Sequence, residues 1–253
     1  MTDPRGTCLI TGGARGIGRA SARLAASLGW DVAVNYRERD DAAGALVAEI
    51  ASLGRRARAI RADVADEADV VRLFAESRDA LGPITAVVNA AGIGLHASVD
   101  SLDALQLRRL FDVNVIGLML CCREAARHMS RSHGGAGGAI VNVSSMAATI
   151  GGRAGATAYA ASKGAVDVFT TGFAKEVAAQ GIRVNAVRPG VTDTDMIERM
   201  RSGALRAKIE ATIPMQRYGT PEEVAQAVVW LLSAPSSFVT GAHVNVGGGG
   251  FLV

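Results

Sequence analysis

Thr7-Cys8-Leu9-Ile10-Thr11-Gly12-Gly13-Ala14-Arg15-Gly16-Ile17-Gly18 is the stretch from which the fold can be read. Its first four residues form a short apolar run of the kind that makes a buried strand. Beyond the glycines, Ile17, Ala20, Leu24, Ala25 and Leu28 recur at helical spacing and stop before Gly29, which marks a helix with one apolar face and a glycine end signal. Strand, glycine turn and helix in this order suit a phosphate. Gly12, Gly16 and Gly18 can take positive φ and let backbone N–H groups approach a pyrophosphate, with Arg15 and Ile17 between them, and the helix N-terminus adds a favourable dipole. A glycine turn with no ligand is the alternative, and the architecture around it argues for the ligand.

Working outward, similar runs recur at Val32 to Tyr36, Arg58 to Ile60, Ala86 to Asn89, Ala139 to Val143, Val184 to Val187 and His243 to Val246. Seven strands are implied. Most are separated by helical segments, the longest around Asp103 to Arg131 and Tyr159 to Gln180. Alternation of this kind, with strands apolar enough to be covered on both sides, predicts an α/β fold: a single-domain, Rossmann-type, doubly wound parallel sheet with right-handed crossovers and helices on both faces. Residues 1–253 are read as one domain. Thr220-Pro221-Glu222-Glu223 opens a helix with a threonine cap, proline at the first position and acids in the first turn. His133 to Gly138 reads as a surface loop, and Thr192 to Met215, which has no clear periodicity, as the substrate loop.

The 253 residues are 49% hydrophobic, include 30 glycines and carry a formal net charge of +3. Arginines are scattered among acids, so no nucleic-acid or membrane surface is expected. Arg55, Arg56, Arg58 and Arg61 read as a solvated edge. Cys8 lies in an apolar run and Cys121 and Cys122 are adjacent, a spacing that suits neither a zinc site nor a disulfide framework. Met1 to Gly6 has no apolar signal core and no window approaches a membrane span, so the expected location is the cytoplasm.

NAD-preferring nucleotide folds commonly place an acid at the end of the second strand to bind the ribose 2′-hydroxyl. Here that strand runs Val34-Asn35-Tyr36-Arg37. Arg37, helped by Arg15, can pair with a 2′-phosphate that a carboxylate would repel, so the expected cofactor is NADP(H). Tyr159 and Lys163 stand four apart in a helical segment and share a face. An ammonium beside a phenol favours phenolate and draws its pKa towards neutrality, which suits proton transfer. Ser145, after Asn142-Val143-Ser144 at the carboxyl end of the fifth strand, can donate to a substrate oxygen, whereas Ser144 reads as a backbone-capping hydroxyl.

With these residues in place, the chain resembles the short-chain dehydrogenase/reductase family over essentially its whole length. The resemblance rests on Thr11 to Gly18, Asn89-Ala90-Ala91-Gly92, Asn114, Ser145, Tyr159 with Lys163, and Pro189-Gly190 in the family's order and spacing. It implies a tetrad in which Tyr159 is the general acid in reduction, Lys163 tunes it and holds the nicotinamide ribose, Ser145 positions the carbonyl and Asn114 supports a water-linked proton relay. It also implies that Asp63 and Val64 contact the adenine, that Asn89 and Gly92 line the adenosine side, and that Pro189, Gly190, Thr192 and Thr194 belong to the cofactor site. Ala90 stands where the family usually has asparagine, and Gly247 to Gly250 where it has an acid or amide before two glycines. The Ser145 to Tyr159 spacing resembles glucose-dehydrogenase-like members, and the chain is also similar to 3-oxoacyl-[acyl-carrier-protein] reductases.

The expected activity is therefore interconversion of a small-molecule carbonyl and a secondary alcohol, the substrate being a sugar or polyol or a 3-oxoacyl thioester. Arg153, Arg199, Arg201 and Arg206 either attract an anionic substrate or are surface arginines. A protein that senses NADP(H) without turnover is the alternative class. The two long helical segments carry apolar residues on several faces, which, with the resemblance, implies a homotetramer.

Overall fold

The computed structural model describes residues 5–200 and 203–250. Seven strands form one sheet in the order β3-β2-β1-β4-β5-β6-β7, and every neighbouring pair is parallel. The strands are β1 Thr7–Thr11, β2 Asp31–Tyr36, β3 Ala57–Arg61, β4 Ile84–Asn89, β5 Gly138–Val143, β6 Ile182–Pro189 and β7 His243–Val246. Connecting them are α1 Gly16–Ser27, α2 Asp40–Ser52, α3 Glu67–Leu81, α4 Ala104–Phe111, α5 Leu118–Met129, α6 Ala147–Ile150, α7 Thr157–Val177, α8 Gly203–Glu210 and α9 Pro221–Leu232. The chain runs outward from β1 to β3 and then returns to place β4 on the other side of β1. That reversal opens a crevice at the carboxyl ends of β1 and β4, where ligands of open parallel sheets bind.

Alternate residues of each strand enter separate cores. Leu9, Ala33, Val87, Ile140 and Val184 pack under α3, α5 and α7 through Leu73, Phe74, Cys122, Ala125, Val166 and Ala174. Cys8, Ile10, Val32, Val88 and Val141 pack on the opposite face, under Ala22, Ala25, Leu46, Ile50, Val224 and Val228 of α1, α2 and α9. Both faces being covered explains why the runs are continuously apolar rather than alternating.

Thr220 accepts from the Glu223 N–H at 3.2 Å while Glu223 Oε2 accepts from the Thr220 N–H at 2.8 Å, the reciprocal cap expected at α9. Two local readings change. Arg55 and Arg56 are not merely solvated: both bind Asp31 at 2.7 Å, joining the start of β2 to the approach to β3. Burial opposes ionisation of Asp31, but hydrogen bonds and charge from Arg56 and Arg55 hold its carboxyl below the usual range. The segment expected to be an irregular loop holds a 3-10 turn at Asp195–Met200 and then α8, anchored by Ile209, Ile213 and Tyr218, which pack with Val191 and Ile197.

Candidate active site

The glycine turn follows β1 directly. Gly12 has φ +61, and a Cβ there would lie 2.8 Å from the Ala91 Cα, so only glycine lets this turn close against the exit of β4. A Cβ on Gly18 would lie 2.3 Å from the Gly12 carbonyl oxygen, which seats α1 against the turn. The Arg15 side chain does not cap α1 and its first turn holds no acid, unlike α3, α4 and α9, which Asp66, Asp103 and Thr220 cap. Its leading N–H groups therefore lie open towards the crevice, as an anion site requires. Arg15 and Arg37 are exposed at the rim. Thr194 crosses above Gly16, its Cγ2 3.2 Å from where a Gly16 Cβ would sit, and Arg15 Nη1 lies 4.0 Å from Asp195 Oδ2.

The residues expected to transfer the proton converge on the carboxyl end of β5. Lys163, 4% exposed, donates from Nζ to the Val143 carbonyl at 2.8 Å; its Nζ lies 5.8 Å from the centre of the Tyr159 ring. Ser145 Oγ accepts from the Ala147 N–H at 3.1 Å and lies near enough to the Tyr159 hydroxyl to lower its pKa. Ser144 donates to the Lys163 carbonyl at 3.3 Å, a structural bond that ties the β5 exit to α7. Burial lowers the Lys163 pKa to about 8, opposed by the Asp167 charge one turn on. Burial raises the Tyr159 pKa, opposed by the Ser145 hydrogen bond. Against the sequence expectation of a phenol drawn down by its lysine, desolvation of the phenolate is the larger influence on Tyr159.

Asn114 lies in a π-helical segment, Asp112–Gly117, that interrupts the long helix between α4 and α5. Its Oδ1 accepts from the Ile93 N–H at 2.8 Å, and its Nδ2 donates to the Ile93 carbonyl at 3.0 Å and to Ser162 Oγ at 3.1 Å. The side chain thus clamps the loop after β4 to the second turn of α7. Gly92 lies between Asn114 and Lys163: a Cβ there would meet Asn114 Oδ1 at 3.3 Å and Lys163 Nζ at 3.6 Å. Thr192 is 6% exposed and pairs with Gly219. The Gly190 N–H donates to the Val246 carbonyl at 2.9 Å, and the Pro189 carbonyl accepts from the Met146 N–H at 2.9 Å. Val64 is 6% exposed at the exit of β3, beside Asp63.

Asn89, expected to line the adenosine side, ends β4. It is buried, and its Nδ2 donates to Asn142 Oδ1 at 2.9 Å and approaches Cys122 Sγ at 3.3 Å. Thr11, Asn89 and Asn142 stand at one level across three strands, so this amide braces the floor of the crevice from beneath.

Comparison with known proteins agrees with this geometry. A family model described as Enoyl-(Acyl carrier protein) reductase matches residues 12–250. "Uncharacterized oxidoreductase YgfF" of Escherichia coli (strain K12) is 48% identical over 242 residues, covering 95% of this chain and 98% of that protein. A 3-oxoacyl-[acyl-carrier-protein] reductase of Synechocystis is 37% identical over 242 residues, 95% of each chain. The chain belongs to the short-chain dehydrogenase/reductase family. A short chain dehydrogenase from Burkholderia cenocepacia, solved in complex with NADP, is 37% identical and superposes with a TM-score of 0.89 over 96% of both chains.

Seen as a short-chain dehydrogenase/reductase, the chain compensates its departures locally. The Ala90 N–H, where the family usually has asparagine, is held by Thr11 Oγ1 at 3.1 Å, as is that of Ala91. The terminal glycine run packs on the β6 exit, with Gly190 so close to Gly247 that a Cβ would lie 2.7 Å from the Gly247 Cα. Among the arginines weighed as substrate ligands, Arg153 donates to Thr212 Oγ1 at 2.9 Å, and Arg206 stacks over Tyr218 at 4.7 Å and binds Glu210 at 2.8 Å. Arg201 and the side chain of Arg199 lie outside the described residues. Sequence reasoning missed Asn35, whose Oδ1 accepts from the Gly12 N–H at 3.2 Å while its Nδ2 donates to the Ala62 carbonyl at 2.9 Å. Its signal was a polar amide inside an otherwise apolar strand.

Proposed function

We propose that this oxidoreductase uses NADP(H) to interconvert a carbonyl and a secondary alcohol. The reading is carried by one arrangement: the Tyr159 hydroxyl close to Ser145, beside a buried Lys163 at the carboxyl edge of the sheet. The residues fit a dinucleotide, because α1 opens uncapped onto the glycine turn and glycine at positions 16 and 92 leaves backbone bare where Cβ atoms would crowd Thr194, Asn114 and Lys163. Arg15 and Arg37 supply charge for a 2′-phosphate, and the NADP complex of the Burkholderia relative supports that choice. When bound, the nicotinamide supplies or accepts the hydride.

Tyr159, whose pKa burial raises, donates its proton to the oxygen of the carbonyl being reduced. Ser145 donates a second hydrogen bond to that oxygen. Lys163 lies buried behind the pair, where its charge favours phenolate as the proton leaves, and Asn114 fixes Ile93 and the second turn of α7 around them. Residues 192–215 form the substrate loop of this single domain. The substrate class is a sugar or polyol or a 3-oxoacyl thioester, the latter supported by the Synechocystis relative. Exposed Leu105, Ile116 and Val168 on the α4 to α7 side support assembly into a homotetramer.

The test is NADPH oxidation by the purified protein against ketones, aldose and ketose sugars, and acetoacetyl thioesters. Turnover with one class assigns the substrate. Tight NADPH binding with no turnover across the panel counts against catalysis and favours the sensor reading.

A further inference from the structure

The exit of β3 carries a charge arrangement that the tetrad and the glycine turn do not explain. Asp63 Oδ1 accepts from the Ala65 N–H at 3.0 Å, closing a local turn. Its Oδ2 faces two guanidinium groups: Arg109 Nη2 donates at 2.7 Å and Arg37 Nη1 lies 3.8 Å away. Arg109 comes from the last turn of α4, 46 residues further along the chain. That turn runs directly into the π-helical segment, so Arg109 does not face a free helix C-terminus whose dipole would explain it. Asp63 and Arg109 are both only partly exposed, so screening by water is incomplete. Arg37 also binds Glu38, which points outward.

We propose that Arg109 is a positioning residue for cofactor choice: it engages the Asp63 carboxylate, so that Arg37, whose other partner is the outward-pointing Glu38, can turn to the 2′-phosphate of NADP(H). Without Arg109, Asp63 presents an uncompensated negative charge beside Arg37. It then competes for Arg37 and repels a dianionic phosphate, while a cofactor bearing a 2′-hydroxyl is affected far less. The inference rests on the NADP(H) reading above.

Binding of NADPH and NADH to the full-length protein by isothermal titration calorimetry separates the two. Wild type is expected to bind NADPH more tightly. Arg109→Gln is expected to lower the NADPH-over-NADH affinity ratio about tenfold, or about 1.4 kcal/mol; Arg109→Lys, which keeps the charge, restores most of the ratio. Arg108→Gln, the same charge change on the exposed neighbouring residue, leaves the ratio where it was. A wild-type preference for NADH overturns both the reading and the inference. A wild-type preference for NADPH with the ratio unmoved in Arg109→Gln, or moved equally by Arg108→Gln, overturns the inference alone. Parallel loss of both cofactors in Arg109→Gln assigns the residue a purely structural role and also overturns it.

Discussion

Replacing Lys163 by methionine should leave the protein more stable and less active. Burial takes the lysine from its ordinary 10.5 to about 8, and at about 1.4 kcal/mol per pKa unit this corresponds to roughly 3 kcal/mol against the charged form. Methionine fills similar volume without that charge. It also forfeits the bond to the Val143 carbonyl, which removes about 1 kcal/mol. The net gain is about 2 kcal/mol at pH 7, or a rise of roughly 4–8 °C in Tm for a chain of this size. The folded lysine binds its proton less tightly than the unfolded one. Its opposition to folding is therefore complete below pH 8 and fades as pH rises towards 10.5, where both states are neutral. Urea unfolding of wild type and Lys163→Met at pH 7 and pH 10 measures this, with turnover followed in parallel. A variant less stable than wild type at pH 7, or an advantage that does not shrink by pH 10, would refute the reasoning.

The same group sets a pH limit on catalysis. Reductive turnover should fall as pH rises through about 8 and Lys163 loses its proton; Asp167→Asn, which removes the charge that supports the ammonium, should move that limb to lower pH, and a pH–rate profile unchanged in the variant would contradict it. Gly18→Ala drives a Cβ to 2.3 Å from the Gly12 carbonyl oxygen, backbone against backbone, so NADPH affinity should fall by at least about tenfold in a calorimetric titration. Wild-type affinity in that variant would mean the turn is not the pyrophosphate site.

Sheet architecture was legible because both faces are covered: apolar runs such as Val32 to Tyr36 need no periodicity to be recognised once glycine turns and helical segments separate them. β7 was read at its observed limits, whereas β6 extends two residues beyond its apolar run at each end, because Arg183 and Arg188 point to partners that sequence does not show. The π-helical segment was invisible, since nothing in Asp112-Val113-Asn114 distinguishes it from ordinary helix until Asn114 is seen bonded to Ile93. Tyr159, Lys163 and Ser145 were identifiable by type and spacing. The direction in which the Tyr159 and Lys163 pKa values move was not, because burial sets it and only packing reveals burial. Asn89 shows the same limit: the motif marks the residue, but only packing shows that its side chain joins Asn142 in the core.

The central claim is that Tyr159 transfers the proton while the dinucleotide is held by other groups. Single-turnover reduction of the best panel substrate by NADPH, in wild type and Tyr159→Phe, tests it most directly when the NADPH dissociation constant is measured on the same samples. The account predicts a loss of at least about a hundredfold in the rate of the chemical step with NADPH affinity changed less than about threefold. A Tyr159→Phe protein that turns over at the wild-type rate would contradict it.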